Sequence, residues 1–119
     1  MTPAAARAMY ARQIAAHGEN VTFRRVVPNA APIERTVRIR LVSYGEAELV
    51  GGVNLSDRKA IVMRDSLHAS GFPLPFRRGS DKVIIGNTTL TVNEVDDTKR
   101  RVAGELIAYE LLLGGAALV

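Results

Sequence analysis

Hydrophobic and polar residues alternate most cleanly from Thr36 to Val42, where Val37, Ile39 and Leu41 fall on one side and Arg38 and Arg40 on the other. Period-two alternation rich in β-branched residues predicts a half-buried strand. Val21 to Val27 follows the pattern less well: Val21, Phe23 and Val27 share a face that Arg25 interrupts. Proline cannot donate to a ladder, so Pro28-Asn29-Ala30-Ala31-Pro32 reads as a turn between antiparallel neighbours. Lys59 to Met63 predicts a short apolar strand. Lys82 to Val95 carries the strongest local signal: Gly86-Asn87 separates two β-rich runs, and a two-residue loop with glycine first predicts a hairpin. Asp96 to Lys99 reads as a turn. Arg101 to Leu113 fits two patterns. Leu106, Ile107, Tyr109, Glu110 and Leu113 share a helical face, whereas Val102, Leu106 and Ala108 fit a long strand. The segment lacks an N-cap and carries Gly104, and the earlier strands need a closing partner, so the strand is favoured.

Two segments predict helix. At the start, Thr2 can cap, Pro3 sits where a missing N–H costs nothing, and the alanine-rich run to Ala16 favours helix until Gly18 offers a C-terminal residue able to take positive φ. Its apolar stripe, Met9, Tyr10 and Ile14 with some alanines, is thin and needs a partner surface, either the chain's own body or another subunit. Arg64 to Ser70 fits about two helical turns ended by Gly71. Phe72-Pro73-Leu74-Pro75-Phe76 reads as an extended connector. The expected fold is mainly β: a small antiparallel barrel or sandwich, residues 21–113, with an N-terminal helix over 1–18, a long loop over 43–58 between strands 2 and 3, and a tail at 114–119.

Composition narrows the chemistry. The 119 residues suit one domain, and 47% hydrophobic with 24% charged residues matches a soluble globular chain. With no cysteine, disulfides, Cys-based zinc sites and a thiol nucleophile are excluded. No apolar run is long enough to span a bilayer, and no secretory h-region follows Arg7, so no membrane partner is expected. His17 and His68 lack neighbours at metal-ligand spacing, and no phosphate loop, dinucleotide, zincin or hydrolase motif is present. Glu46/Glu48, Glu94/Asp96/Asp97 and Glu105/Glu110 read as solvated or turn-forming acids. Neither a catalytic role nor a cofactor or metal is expected.

The 16 Lys and Arg outnumber the 12 Asp and Glu, giving a net charge of +4. Arg24-Arg25, Arg38/Arg40, Arg77-Arg78 and Arg100-Arg101 stand on separate elements, and arginine suits forked hydrogen bonds at interfaces, so these are the candidate interface residues. The absence of Trp and an aromatic content of 5% argue against a base-stacking surface. From Ser43 to Arg58 no period holds; Gly45, Gly51 and Gly52 lie among Leu49, Val50, Val53 and Leu55, apolar residues that in an exposed loop would need something to pack on.

Several of these runs together resemble a known family. Glu48-Leu49-Val50-Gly51-Gly52-Val53, Asp57-Arg58-Lys59-Ala60-Ile61-Val62, Gly71-Phe72-Pro73-Leu74-Pro75, Val95-Asp96-Asp97, Arg100-Arg101-Val102 and Leu106-Ile107-Ala108-Tyr109-Glu110-Leu111 resemble the small head–tail joining, or stopper (head-completion), proteins of tailed-phage structural modules. The resemblance covers roughly residues 21–113. It implies a small β-barrel that assembles as a ring, commonly of six, below the portal and adaptor and above the tail terminator or tail tube. Such a ring retains packaged DNA in a phage or a gene-transfer-agent particle, with the chain made in the bacterial cytoplasm. It also implies that a loop between strands 2 and 3 closes the channel, here through Gly45, Glu46, Glu48, Leu49, Val50, Gly51, Gly52 and Val53. With Glu46, Glu48, Asp57 and Arg58 that loop is mildly acidic, suited to steric blocking and not to gripping DNA. The alternatives are a neighbouring connector part, adaptor or tail terminator, or a small basic nucleic-acid-binding barrel.

Overall fold

A computed structural model describes residues 1–42 and 58–114. In chain order these form α1 (Pro3–His17), β1 (Glu19–Arg25), β2 (Ile33–Val42), β3 (Arg58–Met63), α2 (Arg64–Ser70), β4 (Lys82–Ile85), β5 (Thr88–Asp96), β6 (Arg101–Val102), β7 (Glu105–Leu106) and β8 (Ala108–Gly114). Six strands close a barrel in the order β1-β2-β3-β8-β5-β4, every pairing antiparallel, while β6 and β7 form a separate two-stranded hairpin. The mainly β expectation therefore holds, as a closed barrel with an N-terminal helix.

Alternation along each strand fills the interior. Val21 faces Val37 across the β1–β2 ladder with Phe23 and Ile39 in the same core, Ala60 and Val62 meet Leu111 and Tyr109 across β3–β8, and Val83 and Leu90 pair across β4–β5. One end is plugged: Leu67 of α2 is fully buried, and Phe72 and Phe76 from the connector enter the same core. The chain's three phenylalanines meet there, with ring centroids 5.7 Å (Phe23–Phe72), 5.7 Å (Phe23–Phe76) and 5.9 Å (Phe72–Phe76) apart. Each buried ring contributes roughly 1.5–3 kcal/mol through apolar burial, and the tilted geometries suit the aromatic quadrupole. The barrel is a packed core and not a ligand tunnel.

The thin stripe of α1 finds its partner on the chain's own body. Thr2 caps the helix by accepting the Ala5 N–H at 3.1 Å, as expected, and Ala6 and Ile14 are buried against β2 and β3. Ile61 and Met63 point outward, out of phase with Ala60 and Val62, yet are buried on that face. Arg38 fastens the helix by donating from Nε to the Ile14 carbonyl (3.0 Å), which also accepts the Gly18 N–H, and from Nη2 to that of Ala15 (3.1 Å), placing a cation at the helix C-terminus. Gly18 follows at φ −90°, ψ 179°, an extended residue and not the positive-φ cap expected. Its glycine is needed for proximity: a Cβ would collide with the Ile14 carbonyl oxygen and lie 2.6 Å from that of Ile39.

Other local expectations stand or shift by identifiable causes. Gly86 takes φ 58° between the paired Ile85 and Thr88, and the hairpin forms as expected. Gly71 ends α2 at φ 79°. The first strand ends at Arg25, leaving Val26 62% exposed. The final run is strand and not helix, but it is broken: Ala103 (φ 50°) and Gly104 (φ 81°) turn the chain between β6 and β7 before β8 begins.

Candidate functional site

Arg25 does not interrupt the inner face of β1; it belongs to it, only 6% exposed at the plugged end. Asp81, fully buried just before β4, receives its fork: Nε donates to Oδ1 at 2.9 Å and Nη2 to Oδ2 at 2.8 Å. Nη2 also donates to the Pro75 carbonyl at 2.9 Å, and the guanidinium lies 5.3 Å from the Phe72 ring centre. The Arg77 amide donates to Asp81 Oδ2 at 2.7 Å. Hydrogen bonding to Asp81 raises the Arg25 pKa above its ordinary value, against the opposing effect of burial. A buried pair needs this degree of satisfaction to be tolerated. Arg25 is therefore a structural fastener of the plug and is removed from any exposed patch.

The half of the barrel around β3, β8 and β5 carries charges in neutralised sets. Glu110, buried on the outward side of β8, lies 3.3 Å from Lys59 Nζ and 3.4 Å from Arg100 Nε. Arg100 also donates to the Tyr10 hydroxyl at 2.9 Å, tying α1 to this network. Arg7 binds Glu105 (2.7 Å) and Asp65 (3.5 Å), Arg64 binds Asp65 (3.4 Å), Arg78 binds Glu94 (3.1 Å) and Lys99 lies 3.8 Å from Asp96. The amides of Thr98 and Lys99 and the Thr98 hydroxyl all donate to Asp96 Oδ1, which holds its carboxyl down at about 2. Arg101 donates to the carbonyls of Asp97 (2.6 Å) and Gly104 (3.2 Å), bracing the small hairpin.

The other half differs. The register places Glu34, Arg24 and Lys82 side by side on the outward face of β2, β1 and β4, with Thr91 beyond on β5; the next row is Thr36, Thr22, Ile84 and Thr89. Among the described residues neither Arg24, Arg35, Arg77 nor Lys82 makes an ion pair. Lys82 Nζ donates instead to the Thr91 hydroxyl at 2.7 Å, and Arg35 Nη1 to the Glu34 carbonyl at 2.8 Å. Arg24 Nε is shielded from solvent without a hydrogen-bond partner. The candidate arginines thus separate: Arg25, Arg38, Arg100 and Arg101 brace the chain, Arg40 bonds Gln13 at 3.2 Å, Arg78 pairs with Glu94, and Arg24 and Arg77 stay uncommitted. Asp81 was not singled out by the sequence, and Lys82 only as part of a strand; their common signal is the start of β4, Asp81 just before it and Lys82 its first residue.

A cleft of about 350 Å³ is lined by His68, Leu74, Phe76, Val95, Asp97 and Tyr109, with Tyr109 edge-on to Phe76. Another, of about 430 Å³, lies over the Lys59–Glu110 network with Glu94, Asp96 and Lys99. Among the described residues, no cluster of three or more His, Asp or Glu is placed to hold a metal ion and no helix is long and apolar enough to cross a membrane. Gly45, Glu46, Glu48, Leu49, Val50, Gly51, Gly52 and Val53, the expected channel loop, lie outside the described residues. No family model matches the sequence, and no curated protein matches it.

Proposed function

We propose that the chain is a structural component of a phage-like virion, a stopper that assembles as a homo-oligomeric ring at the head–tail junction. The observation that carries this reading is a filled, closed barrel bearing an outer helix, with residues 43–57 joining β2 to β3 at the chain position that the resemblance requires. A barrel plugged by Leu67, Phe72 and Phe76 has no passage of its own, so a channel formed by this chain lies between copies. Repetition of one heterologous contact until the rotation closes gives such a ring. Residues 43–57 would then supply the channel segment, blocking by bulk and releasing DNA cleanly.

The test is assembly. Full-length protein mixed with DNA-filled, portal-bearing particles that lack their tails should attach as a ring at the portal vertex and reduce DNA leakage. Deleting residues 45–54 should leave attachment intact and restore the leak. A chain that never joins such particles, yet binds DNA with steep salt dependence, would instead be a nucleic-acid-binding barrel.

A further inference from the structure

We propose that the outward face of β1 and β4, centred on Arg24 and Lys82, binds the phosphate backbone of double-stranded nucleic acid. This inference rests on where charge lies on one chain and is independent of the ring. Arg24 and Lys82 stand directly opposite each other in the antiparallel register. Like charges in that position destabilise a sheet, and among the described residues no carboxylate forms an ion pair with either. Glu34 is Arg24's other cross-strand neighbour and still makes no ion pair with it. Arg24 Nε is shielded from solvent and has no hydrogen-bond partner, so among the described residues nothing holds the Arg24 guanidinium in an internal contact. Arg100 Nε is likewise without a hydrogen bond, but a Glu110 carboxylate lies 3.4 Å from it.

The surroundings point to phosphate. Neighbouring strands are about 4.8 Å apart, so Arg24 and Lys82 are close enough to share one phosphate group. Hydroxyls from Thr22, Thr36, Thr89 and Thr91 stand on outward positions around them. Thr91 accepts from Lys82, which leaves its own proton for a phosphate oxygen. Arg77, exposed on the loop leading into β4, adds a further uncommitted cation. Contacts of this kind position a duplex without reading its sequence. The aromatic residues described are placed elsewhere: the phenylalanines in the plug, Tyr10 against Arg100, Tyr109 against Phe76. A face without rings contacts backbone and not unstacked bases. An acidic protein is the competing class of partner. Within the chain Asp65, Asp81, Glu94, Asp96, Glu105 and Glu110 are already ion-paired, which among the described residues leaves Glu19, Glu34 and Asp97 as the carboxylates a second copy could offer.

Fluorescence anisotropy of the full-length chain with a short labelled DNA duplex, across a salt series, tests the face. The parent should bind at low salt and weaken steeply as salt rises. Neutralising both cations (Arg24→Gln with Lys82→Gln) removes the one phosphate contact they share and should lower the slope of log affinity against log salt by about one, so that roughly threefold less affinity is lost between ~50 and ~200 mM salt. Arg64→Gln, removing an ion-paired cation outside the face, should keep the parent slope. The double variant should melt no lower than the parent, which separates lost contacts from lost fold. A parent slope retained by the double variant, or polyglutamate that binds the parent more tightly than duplex at equal charge, would overturn the proposal. Normal ring assembly with no duplex binding overturns this face alone; duplex binding through Arg24 and Lys82 without rings supports it and removes only the ring.

Discussion

Arg24 and Arg25 are sequence neighbours in opposite surroundings. Arg25 turns into the plugged end of the barrel, where both oxygens of Asp81, the Pro75 carbonyl and the Phe72 ring receive it. Arg24 turns out onto the β1–β4 face, opposite another cation and with a shielded nitrogen lacking a partner. The same side chain is a structural bolt in one place and an unspent charge in the other. Strand pleating alone separates them, and the difference shows that a count of basic residues says little until each is assigned a face.

The comparison breaks most visibly at its buried side. Asp81→Ala should cost about 3–5 kcal/mol in denaturant unfolding, because it leaves the Arg25 charge buried without its counter-ion. Phe72→Ala, which removes the ring beneath Arg25 and beside Phe23 and Phe76, should cost a similar ~3–5 kcal/mol or slightly less. At the rim of the same plug, burial raises the Tyr109 pKa above 10.0. The folded chain then holds that proton more tightly than the unfolded one. The resulting stability is complete below pH 10.0 and declines as pH rises through the raised value. Tyr109→Phe should flatten this part of the alkaline decline in unfolding experiments run at a series of pH values. The smallest effect belongs to the outer face: Arg24→Gln should change stability by no more than about 0.5 kcal/mol, with any shift toward greater stability as the like-charge pair is lost.

What was legible in the sequence was local. Gly86-Asn87, Gly71 and the Thr2–Pro3 start each specify a backbone conformation within a few residues, and each forms where it was expected. The period of β2 likewise revealed its inner face. Arg25 was misread as an interruption because its justification, Asp81, lies 56 residues away and reaches it only when β1 and β4 pair. Gly18 drew attention for a positive φ it does not adopt, since the close approach of Ile39 is a tertiary fact. The β6–β7 hairpin was missed because strands of two residues have no period to detect. For the candidate site, the sequence supplied Arg24 within a basic cluster, but cross-strand register was needed to set Lys82 beside it.

Closure of the six-stranded wall has one more consequence. Each barrel strand has a hydrogen-bonded neighbour on both sides, so among the described residues no barrel strand is wholly unpaired along one edge, although β2 meets β3 only through Arg40, Leu41 and Val42. Where the ladder is complete, anything that meets the wall meets side chains. Substitutions at a few outward positions can therefore retune its associations while the wall beneath them stays the same.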